Sequence, residues 1–237
     1  MRRLAALLAL IAALAVTALA QDPAPEAGAT DDNGFIINFI QNTISAPGRE
    51  IRLEGVMGAL SSQARIARIT VSDDRGVWLR LDGVEIDWSR AQLLLGRVRI
   101  ERLAVEEVAF LRRPEPPQRR LEDRLPEIEA QPFNLPELPV SVRVADLALP
   151  RVDLAAAAVG QAATLAATGR ADLARGALDA ALDVTRIDGA GGALALALAV
   201  AIATRVLDLD LRLTEPEGGV VATLLDIEGR PAIDLSL

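Results

Sequence analysis

GALALALAVAIATRVLDLDLRL, residues 192–213, decides the fold. Leu194, Leu196, Leu198, Val200 and Ile202 alternate with alanines. After a break at 203–205, Leu207, Leu209, Leu211 and Leu213 alternate with Asp208, Asp210 and Arg212. Strand side chains point to opposite faces with period two, so each run presents one aliphatic face. Leu and Ala are better helix formers than strand formers, which argues the other way. The period settles the matter. On a helix, residues two apart lie roughly 200° apart, and these leucines would scatter around the whole circumference. The stretch therefore reads as two strands sharing an oily face, and what touches that face is the functional question.

From residue 139 onward the same pattern repeats. Strand-like runs are expected at 140–149, 152–159, 164–173, 177–187, 193–203, 206–213, 220–227 and 232–237, punctuated by glycines such as Gly169, Gly191-Gly192 and Gly218-Gly219. Close spacing without helical interruption indicates an antiparallel meander. Upstream, strand-like pieces lie at 50–56, 64–72, 77–88 and 98–111, and their apolar parity switches within a run. The odd-numbered set of Val77, Leu79 and Leu81 gives way after Asp82-Gly83 to the even-numbered Val84, Ile86 and Trp88, which marks either a tight hairpin or a bulge. Further switches follow Glu101-Arg102 and Glu106-Glu107, as in a strongly twisted sheet. Residues 89–96 read as a short helix opened by Ser89 and closed by Gly96.

The chain begins with Arg2 and Arg3 before an uncharged apolar run at 4–20. The run is either a membrane anchor or a signal peptide, with Ala18-Leu19-Ala20 fitting a cleavage site. The arginines hold the N-terminus in the cytoplasm in both cases, so the remainder is expected to be exported. Residues 21–33 read as a linker. Phe35, Ile36, Phe39, Ile40 and Ile44 form the stripe of a short amphipathic helix, either packed on the end of a sheet or lying at the membrane surface. The expected organisation is thus 1–20 anchor or signal, 21–33 linker, 34–111 helix plus short-strand module, 112–137 connector, and 138–237 β segment. The connector holds six prolines and the pairs Arg112-Arg113 and Arg119-Arg120, which either meet anionic lipid head groups or form a solvated segment.

Composition removes several function classes. The 237 residues contain no Cys and no His, so disulfides, thiol nucleophiles, imidazole triads and the usual zinc ligands are absent. A net charge of −8 argues against a nucleic-acid partner. The adjacent acids Asp73-Asp74 and Glu106-Glu107 face opposite ways on a strand, and no enzyme activity, cofactor or metal is expected. Three arrangements would cover the one-sided faces: a closed sandwich, a transmembrane barrel, or a curled open groove. The barrel lacks aromatic girdles, since there is no Tyr and both tryptophans, Trp78 and Trp88, lie upstream.

Several short blocks fall in an order similar to the N-terminal region of the TamB family, the inner-membrane subunits of the translocation and assembly module. They are Gly48-Arg49-Glu50-Ile51, Gly58-Ala59-Leu60-Ser61-Ser62, Ile69-Thr70-Val71-Ser72-Asp73-Asp74, Gly76-Val77-Trp78-Leu79 and Ile86-Asp87-Trp88-Ser89. Leu138-Pro139-Val140-Ser141-Val142, Glu215-Pro216-Glu217-Gly218-Gly219 and Gly229-Arg230-Pro231-Ala232 continue the series. The family's hallmark C-terminal domain does not follow, and the chain reads as a fragment or a truncated copy.

This resemblance implies a mainly β protein with an N-terminal hydrophobic helix, a short amphipathic helix and an antiparallel, curled sheet forming an open AsmA-like hydrophobic groove. It implies a non-enzymatic role in cell-envelope biogenesis: phospholipid transport between inner and outer membrane, and support of outer-membrane protein and autotransporter assembly. The expected setting is a single pass in the inner membrane with the bulk in the periplasm, or the periplasm after signal cleavage. The implied partners are phospholipid, the inner membrane and the Omp85-type TamA, the last through a C-terminal region absent here. The expected lipid-facing residues are Leu194, Leu196, Leu198, Val200, Ile202, Leu207, Leu209, Leu211 and Leu213. The alternative is an exported structural or protein-docking β domain with a closed core.

Overall fold

The computed structural model describes residues 50–58, 61–93, 97–114, 141–174, 176–201, 204 and 206–237. The apolar N-terminal run with Arg2 and Arg3, the linker, the amphipathic helix, most of the connector and Ile202 lie outside the described residues.

Ten strands form one sheet in chain order: β1 (Glu50–Met57), β2 (Gln63–Asp73), β3 (Gly76–Trp88), β4 (Arg97–Phe110), β5 (Ser141–Leu154), β6 (Ala163–Ala174), β7 (Ala177–Arg186), β8 (Ala193–Ala201), β9 (Val206–Glu215) and β10 (Ile233–Ser236). The protein is mainly β, as its alternation demands. Every neighbouring pair is antiparallel except one. β5 lies parallel to β4, with Arg97 opposite Ser141 and Phe110 opposite Leu154, so the all-antiparallel expectation needs correcting. Parallel neighbours require a long crossover, and the proline-rich residues 111–140 span that distance in sequence. The sheet therefore runs without a break from the upstream strands into the meander.

Two expected strands are corrected. Residues 152–159 end β5 and then turn into α2 (Ala156–Val159), because the run Ala155-Ala156-Ala157-Ala158 has the highest helix propensity available. Residues 220–227 begin with α3 (Val220–Leu224) instead of a strand. The short helix after Ser89 is present as α1 (Arg90–Leu93).

The parity switches are coordinated across the sheet. Pairing runs through Glu54 with Arg68, Arg68 with Asp82 and Asp82 with Glu107, then resumes at Val56 with Ile66, Ile66 with Val84 and Val84 with Val105. Gly55, Ala67, Gly83 and Glu106 are the residues skipped, one on each strand. β3 is continuous through Asp82-Gly83, so the switch is a bulge-like step and no hairpin forms. On β5 the step falls between Leu149 and Val152, and Pro150, which has no N–H to lose from a ladder, occupies it.

Because β1 to β5 step together, one face stays apolar on both sides of the line. Ile51, Val71, Leu79 and Val108 on one side, with Ile66, Val84 and Val105 on the other, form a single buried core that also takes in Trp78 and Val152. Leu79 is 2% exposed. The opposite face is wet, with Arg68 directly across from Asp82 (2.5 Å) and Arg65 across from Glu85 (3.0 Å). Exposed pairs like these contribute only tenths of a kcal/mol each, so burial of the aliphatic face dominates.

Candidate functional site

The leucines of residues 192–213 lie in cross-strand rows. Leu194 on β8 pairs with Val184 on β7 and Leu213 on β9. The next rows are Leu182, Leu196 and Leu211; Ala180, Leu198 and Leu209; and Leu178, Val200 and Leu207. Nine strand residues at about 3.3 Å each give the β8 face a length of about 30 Å. The structure thus brings all the described lipid-facing candidates onto one face.

Exposure along that face is graded. Leu207 is 66% exposed and Leu209 39%, whereas Leu211 is 6% and Leu213 is also buried. Leu194, Leu196, Leu198 and Val200 are half-buried. Two causes account for the gradient. β10 pairs only with the Arg212–Glu215 half of β9, while Leu211 meets the backbone of Leu237. The Val206–Asp210 half of β9 has no strand on its outer side among the described residues. At the other end, α2 and α3 pack on each other through Ala158, Val159, Val220 and Leu224.

Two devices hold that helical cap. Glu215 continues the inward row of β9, but its carboxylate turns onto the first turn of α3. Both its oxygens accept from the Val221 N–H (2.9 Å), and one also accepts from the Ala222 N–H (3.1 Å). A carboxylate there satisfies donors that a helix start leaves open and complements the positive end of the helix. The second device is the strap after β4. The Arg112 guanidinium bonds the Asp73 carboxylate and the Gly76 carbonyl on the β2–β3 turn, and Arg113 Nε donates to the Ala158 carbonyl of α2 (2.8 Å). Consecutive arginines therefore tie the β2–β3 turn to the cap.

Under the cap is a half-open cleft of about 860 Å³. Its walls include Leu154, Leu165, Leu194, Leu213, Val220 and Leu224, with Arg113 and Arg186 among the polar residues. A smaller cleft of about 530 Å³ lies at the far end, where Val144, Leu178, Val200 and Val206 contribute. Arg186 ends the inward row of β7 and donates through Nε to both oxygens of Asp188 (2.8 and 3.0 Å). Burial works against the Asp188 charge but is outweighed by the N–H of Ala190, the Arg186 guanidinium and the N–H of Thr164, which together hold the carboxyl below its usual range.

Among the described residues no group of His, Cys, Asp or Glu is arranged to hold a metal ion, and no helix is long and apolar enough to cross a membrane. Glu215, Arg113 and Arg186 are the site residues that sequence reasoning missed or left open. Glu215 had a readable signal, a carboxylate at the end of an aliphatic row shortly before Gly218-Gly219. The cap contacts of Arg113 and Arg186 had none.

Fold and site define a mainly β protein built on one unclosed ten-stranded sheet, whose aliphatic face is covered at one end and open at the other. No family model, curated protein or solved structure matches the chain.

Proposed function

We propose that the chain carries lipid acyl chains along the aliphatic face of β7–β9, as a non-enzymatic, TamB-like component of phospholipid transport between the two membranes and of outer-membrane protein assembly. One observation carries this reading: the leucine rows run out to Leu207 and Leu209, which stay exposed, in a sheet whose β1–β5 face centres on a buried core. Curling of the sheet into an open groove is part of the proposal. α2 and α3 leave the sheet on either side of β6–β9, so flat strands would hold their attachment points about 19 Å apart. Their mutual packing favours a sheet bent toward the leucine face. An acyl chain gains about 0.8 kcal/mol per buried CH₂ anywhere on such a uniform surface, so it can slide without docking tightly.

The test places a photoreactive side chain at Leu196 in cells and looks for phospholipid adducts. Adducts should form, and Leu196→Asp with Leu209→Asp should abolish transport-dependent labelling at neighbouring positions while the protein is still exported. Absence of adducts rejects the groove. Unfolding by Leu209→Asp would favour the closed-core docking domain instead.

A further inference from the structure

We propose that the cleft beneath α2 and α3 is a discrete binding site for one aliphatic chain bearing an anionic head group, with the tail on the leucine rows and the head against Arg113 and Arg186. The ligand class rests on the lipid reading above; the cleft shares Leu194, Leu211 and Leu213 with the leucine rows and adds α2, α3 and the two arginines at the capped end of the face.

Size and wall chemistry point to the tail. A cleft of about 860 Å³ falls within the ~300–1,000 Å³ typical of small-molecule sites. Its walls are built from residues of seven strands and two helices, dominated by Leu, Val and Ile. A peptide laid there would bring backbone polar groups against aliphatic walls without partners. A hydrocarbon tail brings none.

Charge points to the head group. Among the lining residues, Arg112 is engaged with Asp73, and Glu215 spends both oxygens on the start of α3. Arg113 makes no ion pair among the described residues. Its Nε is held by the Ala158 carbonyl, and among the described residues no carboxylate meets its two terminal nitrogens. The Arg186 side chain is 12% exposed, and Asp188 occupies only its Nε. A partly desolvated guanidinium on a fixed backbone is well suited to a carboxylate or phosphate oxygen. Asp234, exposed on β10, is the other carboxylate of the lining, so three arginines stand against two acids, one of which is already engaged with α3. Two guanidiniums lining an apolar chamber fit an anionic amphiphile better than a neutral one.

Binding of cis-parinaric acid and of the corresponding alcohol to the full chain, read by fluorescence, tests this. Wild type should bind the acid more tightly than the alcohol. Arg113→Gln should weaken the acid at least about tenfold, the worth of one charge-assisted hydrogen bond, and leave the alcohol unchanged. Leu194→Trp narrows the chamber from its β8 wall and should weaken both probes by a similar factor, with circular dichroism confirming a native sheet. Competition by dodecanoate or by lysophosphatidylglycerol identifies which anion is preferred, and displacement by either supports the site. The proposal is overturned if the acid does not bind, if Arg113→Gln affects both probes alike, or if a folded Leu194→Trp binds as wild type. Because the photoreactive test sits at Leu196, sliding along the face can fail while this chamber still binds, and the reverse.

Discussion

Gly55 and Gly83 occupy the same cross-strand row, both in the left-handed region at φ +65° and +64°, yet they are not equally replaceable. A β-carbon at Gly83 would meet the Glu106 carboxyl end at 2.5 Å, and that exposed side chain can swing away. A β-carbon at Gly55 would stand 2.6 Å from the Ala67 β-carbon, which is fixed to the backbone of β2. Gly83→Ala should therefore cost about 1–2 kcal/mol, the usual left-handed penalty. Gly55→Ala should cost more, because the backbone must also shift. Urea unfolding with an unchanged m value distinguishes the two. A smaller loss for Gly55→Ala than for Gly83→Ala would show that the stepped row is set by strand pairing and not by its glycines. The alternation on either side of Asp82-Gly83 made this step legible as a hairpin or a bulge. Only the partners on β2 and β4 exclude the hairpin, since a hairpin would leave Arg68 and Glu107 without Asp82 between them.

At the scale of elements, α3 is the feature that alternation concealed. Val220, Ala222 and Leu224 are all buried, and burial at every second residue is what a strand would show. A single turn packed on two sides gives the same pattern, so periodicity alone could not separate the readings. Helix is selected by tertiary contacts: the Glu215 carboxylate on the Val221 and Ala222 N–H groups, and the Thr223 hydroxyl on the Gly219 carbonyl. Glu215→Ala removes the acceptor from a buried helix start and should destabilise the protein by about 1–2 kcal/mol. It should also raise amide exchange at Val221 and Ala222 well before exchange rises in β8. If exchange at α3 is unchanged, the cap is held by α2 packing alone. The meander from β6 to β9 was legible because its strands keep their alternation, with glycines marking the β6–β7 and β7–β8 turns. The parallel β4–β5 pair was not legible, because it depends on how residues 111–140 return the chain and no local pattern encodes that.

Across the whole molecule, one sheet serves two purposes with nearly the same residue types. From β1 to β5 the apolar face centres on a buried core, whereas at the outer end of β9 Leu207 and Leu209, of equal hydrophobicity, remain exposed to solvent. The sequence of residues 192–213 announced the oily face but not its unequal cover, because coverage at Leu211 and Leu213 comes from elements read differently in sequence. Truncation measures that difference directly. Leu79→Ala, at 2% exposure, should cost about 2–5 kcal/mol through lost transfer energy and the cavity left behind. Leu207→Ala, at 66% exposure on the same sheet, removes little that folding had taken from water and should stay within about 0.5 kcal/mol of wild type. Adding the lipid that the open face is proposed to carry reverses the bias. Bound ligand stabilises the folded state by mass action, so the Leu207→Ala protein should gain less thermal stability from lipid than wild type, while Leu79→Ala should gain as much. Equal losses for both substitutions in lipid-free buffer would mean that the β9 face is as covered as the core, and equal gains in lipid would mean that it binds nothing.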